Sequence, residues 1–264
     1  MGLESYRGLA ALVTGASSGI GREIALRLAK EGARVALVAR REAELEAVAE
    51  EIRALSGEAI VLPCDVAESG QVAEVARRAV EAFGSIDILV NNAGYGGQAS
   101  FLDWDLEDME RMMRVNYFGT LYFTKALLPQ MVERKRGWLV FVSSVSGRIA
   151  SPEKSAYAAT KFAMTGLAEG LSLDLEIAQT GVNLLTVYPG VVRTPFFSAQ
   201  MLKGMSEKTK NSMVEPEGLV DAIFVALAKG KRELTFPGGL SAGYVVKALA
   251  PEFLRKQVLR VTKK

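Results

Sequence analysis

The sequence has no histidine and only one cysteine, Cys64, among its 264 residues. Without these residues the chain has no histidine base, no Cys/His zinc site and no disulfide within itself. Any proton transfer must therefore use tyrosine, lysine, serine or carboxylate groups. We expect no metal site.

Neither sign of charge dominates the chain. It has 32 Lys and Arg against 30 Asp and Glu, and no long block of like charge occurs. Proteins that bind nucleic acid usually cluster their basic residues, so we expect no nucleic acid partner. The first residues also lack a long apolar run, and Tyr6 stands where a myristoylation signal needs Ser or Thr. We therefore expect a cytoplasmic protein.

Short apolar runs alternate with amphipathic helical patterns over most of the chain. The run Leu9 to Thr14 leads through a glycine-rich turn into a predicted helix, Ile20 to Lys30. Continuous apolar strands that are joined by helices indicate a parallel sheet with helices on both faces. No Pro/Ser-rich linker occurs, so we predict one α/β domain over residues 1–264. The further predicted strands lie near Arg34–Ala39, Ala59–Pro63, Ile86–Asn91, Trp138–Ser143 and Val182–Tyr188.

The turn after the first strand is Thr14-Gly-Ala-Ser-Ser-Gly-Ile-Gly21. Glycines at this place let the backbone approach a pyrophosphate, whose charge is stabilised by the start of the next helix. Such turns also occur without a ligand. Because this one opens the first βα unit, we favour a dinucleotide site.

Two arginines, Arg40 and Arg41, follow the second strand, where an NAD-binding protein would carry an acidic residue. Guanidinium groups suit the 2′-phosphate of NADP, so we predict NADP rather than NAD, with Arg40 as the preferred contact. The alternative is that both arginines only begin a helix, Glu42 to Leu55, and pair with Glu44 or Glu46 in solvent.

Tyr157 and Lys161 are four residues apart in a predicted helix and therefore share one face. A lysine charge near a tyrosine lowers the tyrosine pKa from about 10, which favours proton exchange with a carbonyl or alcohol oxygen. Taken alone, the pair favours the alternative of a core tyrosine and a solvated lysine, so a catalytic role depends on the motifs in the rest of the chain.

Polar residues follow the third and fourth strands, in Cys64-Asp-Val66 and Asn91-Asn-Ala-Gly94. In open α/β sheets, ligands bind outside the carboxyl ends of the strands, which brings these residues near a cofactor. The alternatives are that Asp65 caps the next helix and that Asn with Gly only forms a turn.

Together these motifs resemble the short-chain dehydrogenase/reductase family, from Leu9 to about Thr194. The resemblance rests on the glycine turn, Asn91-Asn-Ala-Gly94, Asn116, Ser144, Tyr157-x-x-x-Lys161 and Pro189-Gly190. It implies a Rossmann-type, doubly wound parallel sheet of about seven strands in three α/β/α layers. It also implies hydride transfer between a nicotinamide cofactor and a small carbonyl or alcohol substrate.

The resemblance also implies a role for individual residues. Tyr157 would be the general acid/base, and Lys161 would be its electrostatic partner and would bond to the nicotinamide ribose. Ser144, thirteen residues before Tyr157 and therefore preferred to Ser143, would hold the substrate oxygen. Asn116 would orient Lys161 through a water. Asp65 would contact adenine, Asn91 the adenosine side of the cofactor, and the Pro189–Thr194 segment the nicotinamide. The full set of implied cofactor contacts is Gly15, Ser17, Ser18, Gly19, Ile20, Gly21, Arg40, Arg41, Asp65, Val66, Asn91, Ala93, Gly94, Tyr157, Lys161, Pro189, Gly190 and Thr194.

We expect NADPH-dependent reduction of a ketone or aldehyde to an alcohol, by reversible hydride transfer. The family carries a substrate lid near residues 194–215, where five apolar residues either line a pocket or pack a short surface helix: Phe196, Phe197, Met201, Leu202 and Met205.

The acyl-carrier-protein reductases usually finish soon after an acidic Asp-Gly-Gly turn, whereas this chain has Leu234-Thr-Phe-Pro-Gly-Gly239 and runs on to Lys264. This difference weakens the alternative of a 3-oxoacyl-carrier-protein reductase. The C-terminal extension resembles that of family members that act on steroids, retinoids or long-chain 3-oxo lipids, so we prefer a lipophilic substrate, such as a long-chain 3-oxo lipid or a steroid-like ketone. The alternative of another class is a non-catalytic NADP-sensing or scaffold protein on the same fold.

Residues 241–264 form a basic amphipathic extension in which Glu252 is the only acid. Pro251 is expected to break the extension into two short helices. It either makes a weak contact with an anionic membrane surface, which would make the protein peripheral, or packs on the domain or across a subunit interface, which we favour. The resemblance implies a homodimer or homotetramer built on helices around Asp108–Val132 and Ser155–Ala178.

Replacing Arg40 by Asp should shift the cofactor preference from NADPH toward NADH. A carboxylate repels the 2′-phosphate of NADP and accepts a hydrogen bond from the ribose hydroxyl of NAD. Measurement of kcat/KM with each cofactor checks this expectation. An unchanged preference would count against a role of Arg40 in the choice of cofactor.

Overall fold

The computed structural model describes residues 2–205 and 207–262. Its seven strands form one parallel sheet with the spatial order β3-β2-β1-β4-β5-β6-β7. Helices cover both faces, so the predicted Rossmann-type fold in three layers is confirmed. The strands are β1 (Ala10–Thr14), β2 (Arg34–Ala39), β3 (Ala59–Pro63), β4 (Ile88–Asn91), β5 (Gly137–Val142), β6 (Val182–Pro189) and β7 (Glu233–Phe236).

Eleven α-helices are formed by the described residues, together with a π-helical segment at Arg114–Phe118 and 3-10 turns at Val145–Gly147 and Gly238–Ser241. The α-helices are α1 (Gly19–Lys30), α2 (Glu42–Ala54), α3 (Ser69–Phe83), α4 (Leu106–Met113), α5 (Gly119–Glu133), α6 (Ser155–Ile177), α7 (Ala199–Gly204), α8 (Glu207–Asn211), α9 (Pro216–Ala228), α10 (Ala242–Leu249) and α11 (Pro251–Thr262).

The strands are apolar throughout because each one contributes to two cores. In β1, Ala11 and Val13 belong to the core under α1, α2 and α9. Ala10 and Leu12 point to the other face and belong to the core under α3, α5 and α6. Strand side chains alternate between faces, so a sheet that is covered on both sides needs continuous apolar runs.

The order of the strands reverses next to β1. The chain runs outward from β1 through β2 to β3 and then returns to place β4 on the other side of β1. Val13 of β1 accordingly pairs with Leu37 of β2 and with Val90 of β4. The loops after β1 and β4 diverge at this reversal, which is where ligands bind in open α/β sheets.

The C-terminal extension forms two helices. Helix α10 ends at Leu249 and helix α11 begins at Pro251, so the break that the sequence predicted at Pro251 is present. Within residues 2–205 and 207–262, none of the helices combines the length and the apolar character that a membrane crossing requires.

The fourth strand begins at Ile88, two residues later than the sequence predicted. Asp87 stands immediately before this start, and its Oδ2 accepts the backbone N–H of Ala10 at 3.0 Å. Its Oδ1 accepts hydrogen bonds from Arg134 at 2.7 Å and Arg136 at 2.8 Å. The side chain is buried, and burial alone would raise the pKa of Asp87, but these three donors hold it below its usual value. Asp87 therefore fastens β1 and α5 to the start of β4.

Replacing Asp87 by Asn should lower the free energy of unfolding by about 2 kcal/mol at pH 7, since charge-assisted hydrogen bonds are lost and two arginines keep no anion. Urea denaturation measures this. Because the folded pKa lies below the unfolded value of about 3.9, the contribution of Asp87 is complete at neutral pH and is lost as the pH falls through the folded pKa. The difference between wild type and variant should therefore shrink below about pH 4.

Asp221→Asn is the matched control. Asp221 pairs with Arg27 at 2.5 Å, but its side chain is 66 % exposed. We expect a change within about 0.5 kcal/mol for this surface substitution. Equal destabilisation by the two variants would show that Asp87 has no special role.

Candidate active site

The carboxyl ends of the strands open onto a crevice of about 910 Å³. Most of the residues that the sequence predicted for the site line it. They are Gly15, Ser17, Ser18, Gly19, Ile20, Arg40, Arg41, Asp65, Val66, Ala93, Gly94, Ser144, Tyr157, Lys161, Pro189, Gly190 and Thr194. The exceptions are Gly21, Asn91 and Asn116, which do not line the crevice.

The glycine turn is fixed by the loop after β4. The Thr14 hydroxyl accepts the N–H groups of Asn92 at 2.9 Å and Ala93 at 3.0 Å, and Asn92 Nδ2 donates to the Thr14 carbonyl at 2.9 Å. Gly15 adopts φ +67°, and a Cβ there would lie 2.8 Å from Asn92 Nδ2. Only glycine fits a backbone so placed.

Gly21 belongs to the first turn of α1 and packs against the glycine turn. A Cβ on this residue would lie 2.3 Å from the Gly15 carbonyl oxygen and 2.4 Å from Asn92 Nδ2. It therefore brings α1 close against the turn. In the described structure the Ser18 side chain does not cap α1, so it leaves the N–H groups of the first helical turn free to face an anion. This cradle of glycines at a helix start fits a dinucleotide pyrophosphate.

Both arginines after β2 reach the crevice. Arg41 Nη2 donates to Ser17 Oγ at 3.0 Å, and Arg41 Nη1 lies 3.3 Å from Glu44 Oε1. Arg41 therefore makes the solvent ion pair that the sequence offered as an alternative and also faces the glycine turn. Arg40 is exposed and lies near enough to Asp65 to lower the pKa of that carboxyl. No acidic residue stands at the end of β2.

Asp65 belongs to a turn that is tied to α4. Its Oδ1 accepts the N–H of Ala67 at 3.0 Å, and its Oδ2 forms an ion pair with Arg111. Burial raises the pKa of Asp65, but these contacts outweigh burial and hold the pKa below its usual value. The alternative that Asp65 caps α3 is wrong, because Glu68 is the residue before that helix. Arg111 was not identified from the sequence, since nothing local relates it to Asp65.

The side chain of Asn91 points away from the crevice. It is 1 % exposed, and its Nδ2 donates to Thr124 Oγ1 on α5 at 3.1 Å. The sequence predicted a cofactor contact here, but Asn91 is still part of β4, whose side chains alternate between the two faces. Asn92, the next residue, lines the crevice instead. A cofactor contact by Asn91 therefore cannot use its side chain.

Tyr157, Ser144 and Lys161 meet at the centre of the crevice. Tyr157 is half-buried, and the Ser144 hydroxyl is near enough to lower its pKa. Ser144 Oγ also accepts the N–H of Ser146 at 3.1 Å. Ser143 also lines the crevice, but its Oγ lies 3.4 Å from Thr165 Oγ1 on α6. The preference for Ser144 over Ser143 stays a prediction.

Lys161 lies beneath the tyrosine. Its side chain is buried, with Nζ donating to the Val142 carbonyl at 3.0 Å and lying 5.8 Å from the centre of the Tyr157 ring. Burial lowers the pKa of Lys161 to about 8. Burial also raises the pKa of Tyr157 to about 12, and the bond to Ser144 opposes this only partly. The predicted lowering of the tyrosine pKa is thus wrong for the protein without ligand, and Tyr157 is a protonated donor at neutral pH.

Asn116 lies in the π-helical segment and is fully buried. Its Nδ2 donates to the Tyr95 carbonyl at 2.9 Å and to Thr160 Oγ1 at 3.0 Å, and its Oδ1 accepts the N–H of Tyr95 at 3.0 Å. Gly94 separates it from Lys161, because a Cβ on Gly94 would lie 3.0 Å from Asn116 Oδ1 and 3.6 Å from Lys161 Nζ. Asn116 thus fixes the loop after β4, and its action on Lys161 through a water stays a prediction.

Apolar residues enclose the crevice beside Tyr157. Phe196 lies 5.8 Å from the Tyr157 ring, and Phe197 packs on Phe196 at 5.1 Å. Met201 also lines the crevice, whereas Leu202 does not and Met205 is buried. Three of the five apolar residues of the predicted lid therefore face the crevice.

Helix α10 of the extension completes this wall. Tyr244 lines the crevice and packs on Tyr188 at 6.4 Å, with the Arg148 guanidinium 5.9 Å from its ring. Lys247 Nζ donates to the Arg148 carbonyl at 2.6 Å. The first half of the extension is thus packed on the domain, as the sequence favoured. Tyr244 was not identified as a lining residue, because its place depends on contacts with residues far away in the sequence.

The short chain dehydrogenase family model matches residues 9–203. A dehydrogenase/reductase SDR family protein 7-like of Drosophila melanogaster is 36 % identical over 86 % of this chain and 72 % of its own length. An uncharacterized oxidoreductase of Staphylococcus aureus (strain MRSA252) is 35 % identical over 84 % of this chain and 91 % of its own length.

Solved structures give the same result. A short chain dehydrogenase/reductase from Burkholderia phymatum in complex with NAD has a TM-score of 0.86 and 25 % identity, covering 95 % of this chain and 96 % of that one. A short-chain type dehydrogenase/reductase from Mycobacterium marinum has a TM-score of 0.81 and 30 % identity, covering 89 % and 96 %. With the family's motifs gathered around one crevice and its model matched over most of the chain, this protein belongs to the short-chain dehydrogenase/reductase family of oxidoreductases.

Proposed function

We propose that this protein is an NADPH-dependent reductase that converts a lipophilic ketone or aldehyde to an alcohol. The observation that carries the proposal is that Tyr157 and Ser144 line one apolar crevice together with the buried ammonium of Lys161, which lies 5.8 Å from the centre of the Tyr157 ring. A protonated tyrosine, a second hydroxyl and a cation are the groups that a carbonyl oxygen needs as it gains negative charge.

Ser144, Tyr157 and Lys161 would each have a separate role in the reduction of the carbonyl group. When bound, the cofactor supplies a hydride to the carbonyl carbon. Ser144 and Tyr157 hold the carbonyl oxygen, and Tyr157 transfers its hydroxyl proton to that oxygen. The Lys161 ammonium stabilises the phenolate that remains on Tyr157. Because burial keeps the pKa of Tyr157 high, the proton that reduction consumes is present on Tyr157 at neutral pH.

The choice of NADP rests on the end of β2. A structural neighbour from Burkholderia phymatum was solved with NAD, but here Arg40 and Arg41 line the crevice where a carboxylate would select NAD. Ser17 and Arg41 are bonded to each other beside the glycine turn and add donors for a phosphate. These groups support NADP as the cofactor and leave NAD as the weaker candidate.

The apolar wall supports a lipophilic substrate. Phe196, Phe197 and Met201 from the lid and Leu240 and Tyr244 from the C-terminal region line the crevice. A crevice with mostly apolar walls and a few convergent polar groups is typical of small-molecule sites. Long-chain 3-oxo lipids and steroid-like ketones have the apolar bulk that such walls would cover.

We also propose a homodimer or homotetramer that uses α5 and α6. Leu173 and Ile177 of α6 are 53 % and 82 % exposed, and Val132 of α5 is 36 % exposed. Exposed apolar side chains on one region commonly mark a subunit interface. A membrane contact of the extension, and the peripheral location that would follow from it, stay predictions from the sequence.

Replacing Tyr157 by Phe should lower the turnover of ketones at least about 100-fold and leave NADPH binding intact, because only the proton donor is removed. NADPH oxidation is followed across carbonyls graded from short polar ketones to long-chain 3-oxo esters and steroid ketones. Tyr122→Phe, on α5 outside the crevice, is the control and should keep full activity. Near-normal turnover in Tyr157→Phe would refute the mechanism. NADPH binding without any turnover that depends on Tyr157 would point instead to a sensing protein.

Replacing Gly21 by Ala should weaken NADPH binding at least about tenfold, since the new Cβ forces the turn away from α1. Gly70→Ala in α3 is the matched control, because a Cβ there meets nothing within 4 Å. Fluorescence titration measures the affinity, and thermal unfolding verifies that both variants are folded. A folded Gly21→Ala protein with unchanged affinity would show that the glycine turn is not the cofactor site.

A further inference from the structure

Lys154 lines the crevice, although no motif of the family accounts for it. It is the residue immediately before α6, three positions ahead of Tyr157. Its side chain is half-buried.

Contacts of the neighbouring residue, Glu153, join the segment that holds Lys154 to the loop after β4. The Glu153 carbonyl accepts the N–H of Ala99 at 3.0 Å, and Glu153 Oε2 accepts a hydrogen bond from Gln98 Nε2 at 2.7 Å. The same loop holds Gly96, where a Cβ would lie 3.1 Å from the Tyr157 ring and 2.8 Å from Phe196. The segment before α6 is thus joined to the loop that touches the catalytic tyrosine and the lid.

The Lys154 ammonium has no hydrogen-bond or ion-pair partner among residues 2–205 and 207–262. The nearest acid in sequence, Glu153, is engaged by Gln98. The two carboxylates that line the crevice are also engaged, Asp65 by Arg111 and Asp108 by Tyr95 and Trp104.

An unpaired cation of this kind is unfavourable in the protein alone. Burial lowers the pKa of Lys154, and no anion offsets that effect. Half-buried charges are normally paired, and a partner from outside the chain would remove the penalty.

The surroundings define the chemistry of such a partner. Ile149, Phe196 and Phe197 are apolar, and Ser146 and Ser151 contribute hydroxyl groups to the same crevice. A ligand that satisfies both features has an apolar body and an anionic group. A single ammonium matches a monoanion, whereas a phosphate would call for several donors or a guanidinium fork.

We propose that Lys154 binds a carboxylate of the substrate, so that the enzyme reduces an apolar oxo acid. The proposal rests on the proposed reductase function and names the second polar group of its substrate. The carbonyl lies at Ser144 and Tyr157, the carboxylate lies at Lys154, and the apolar part of the molecule is covered by the lid and by Tyr244. Lys154 thereby selects and orients the substrate, and takes no part in proton or hydride transfer.

Binding of fatty acids tests the proposal without any turnover. Calorimetry measures the affinity of decanoate and of its neutral analogue decanamide for the protein, with and without NADPH. In Lys154→Gln the dissociation constant of decanoate should rise at least about tenfold, the effect of one lost charge-assisted hydrogen bond, and that of decanamide should stay the same. Lys125→Gln, an exposed lysine on α5, should change neither value. Equal affinities of wild type and Lys154→Gln for decanoate would overturn the proposal, as would a Lys154-dependent affinity for decyl phosphate alone.

Kinetics separate this proposal from the reductase function. Oxo acids and their methyl esters are compared as substrates, and the ratio of kcat/KM for acid to ester should fall at least about tenfold in Lys154→Gln, while kcat for a neutral ketone is kept. An unchanged ratio would refute the role of Lys154 and leave the reductase standing. If no carbonyl is reduced in a Tyr157-dependent manner, the reductase function fails, and the decanoate titration still decides whether Lys154 binds a carboxylate.

Discussion

The crevice depends on a single hydroxyl group at the reversal of the strand order. Thr14 ends β1, and its Oγ1 donates to the Val90 carbonyl and accepts the N–H groups of Asn92 and Ala93. One side chain thus sets the distance between the loops after β1 and β4, whose divergence creates the site. The close approach leaves no room for a Cβ at Gly15 or Gly21, so the glycine pattern follows from this contact.

Burial acts in opposite directions on the two groups that carry the chemistry. It raises the pKa of Tyr157 and lowers the pKa of Lys161, because each charged form loses hydration. The protein alone therefore favours a neutral tyrosine, which is an acid, over a phenolate, which is a base. A bond to the Val142 carbonyl keeps the ammonium at its place under the ring. A reductase needs the acid form before the reaction and the cation after it, and this arrangement supplies both.

The sequence predicted those parts of the molecule that depend on local pattern. The alternation of apolar runs and helices led to the sheet, and the four-residue spacing led to Tyr157 and Lys161. Ser144, which lines the same crevice, was predicted from the resemblance to the family. The sequence did not predict contacts between residues that lie far apart along the chain. Nothing near Asp65 points to Arg111, and nothing near Tyr244 points to the Arg148 guanidinium that lies against its ring. The tyrosine pKa was wrong for the same reason, since a four-residue spacing reports proximity to lysine but not depth of burial.

The charges of the crevice differ from those of the whole protein. Its lining contains five cations, Arg40, Arg41, Arg111, Lys154 and Lys161, and two acids, Asp65 and Asp108. The crevice thus carries +3 on a chain whose formal charge is +2, so the rest of the surface is slightly acidic. A cleft with one sign of charge and low-dielectric walls concentrates ligands of the opposite sign. The cations belong to different elements of the fold: Arg40 and Arg41 follow β2, and Arg41 bonds to Ser17 of the glycine turn, whereas Lys154 precedes α6. Our two proposals therefore use different cations, Arg40 and Arg41 for the phosphate of the cofactor and Lys154 for the carboxylate of the substrate.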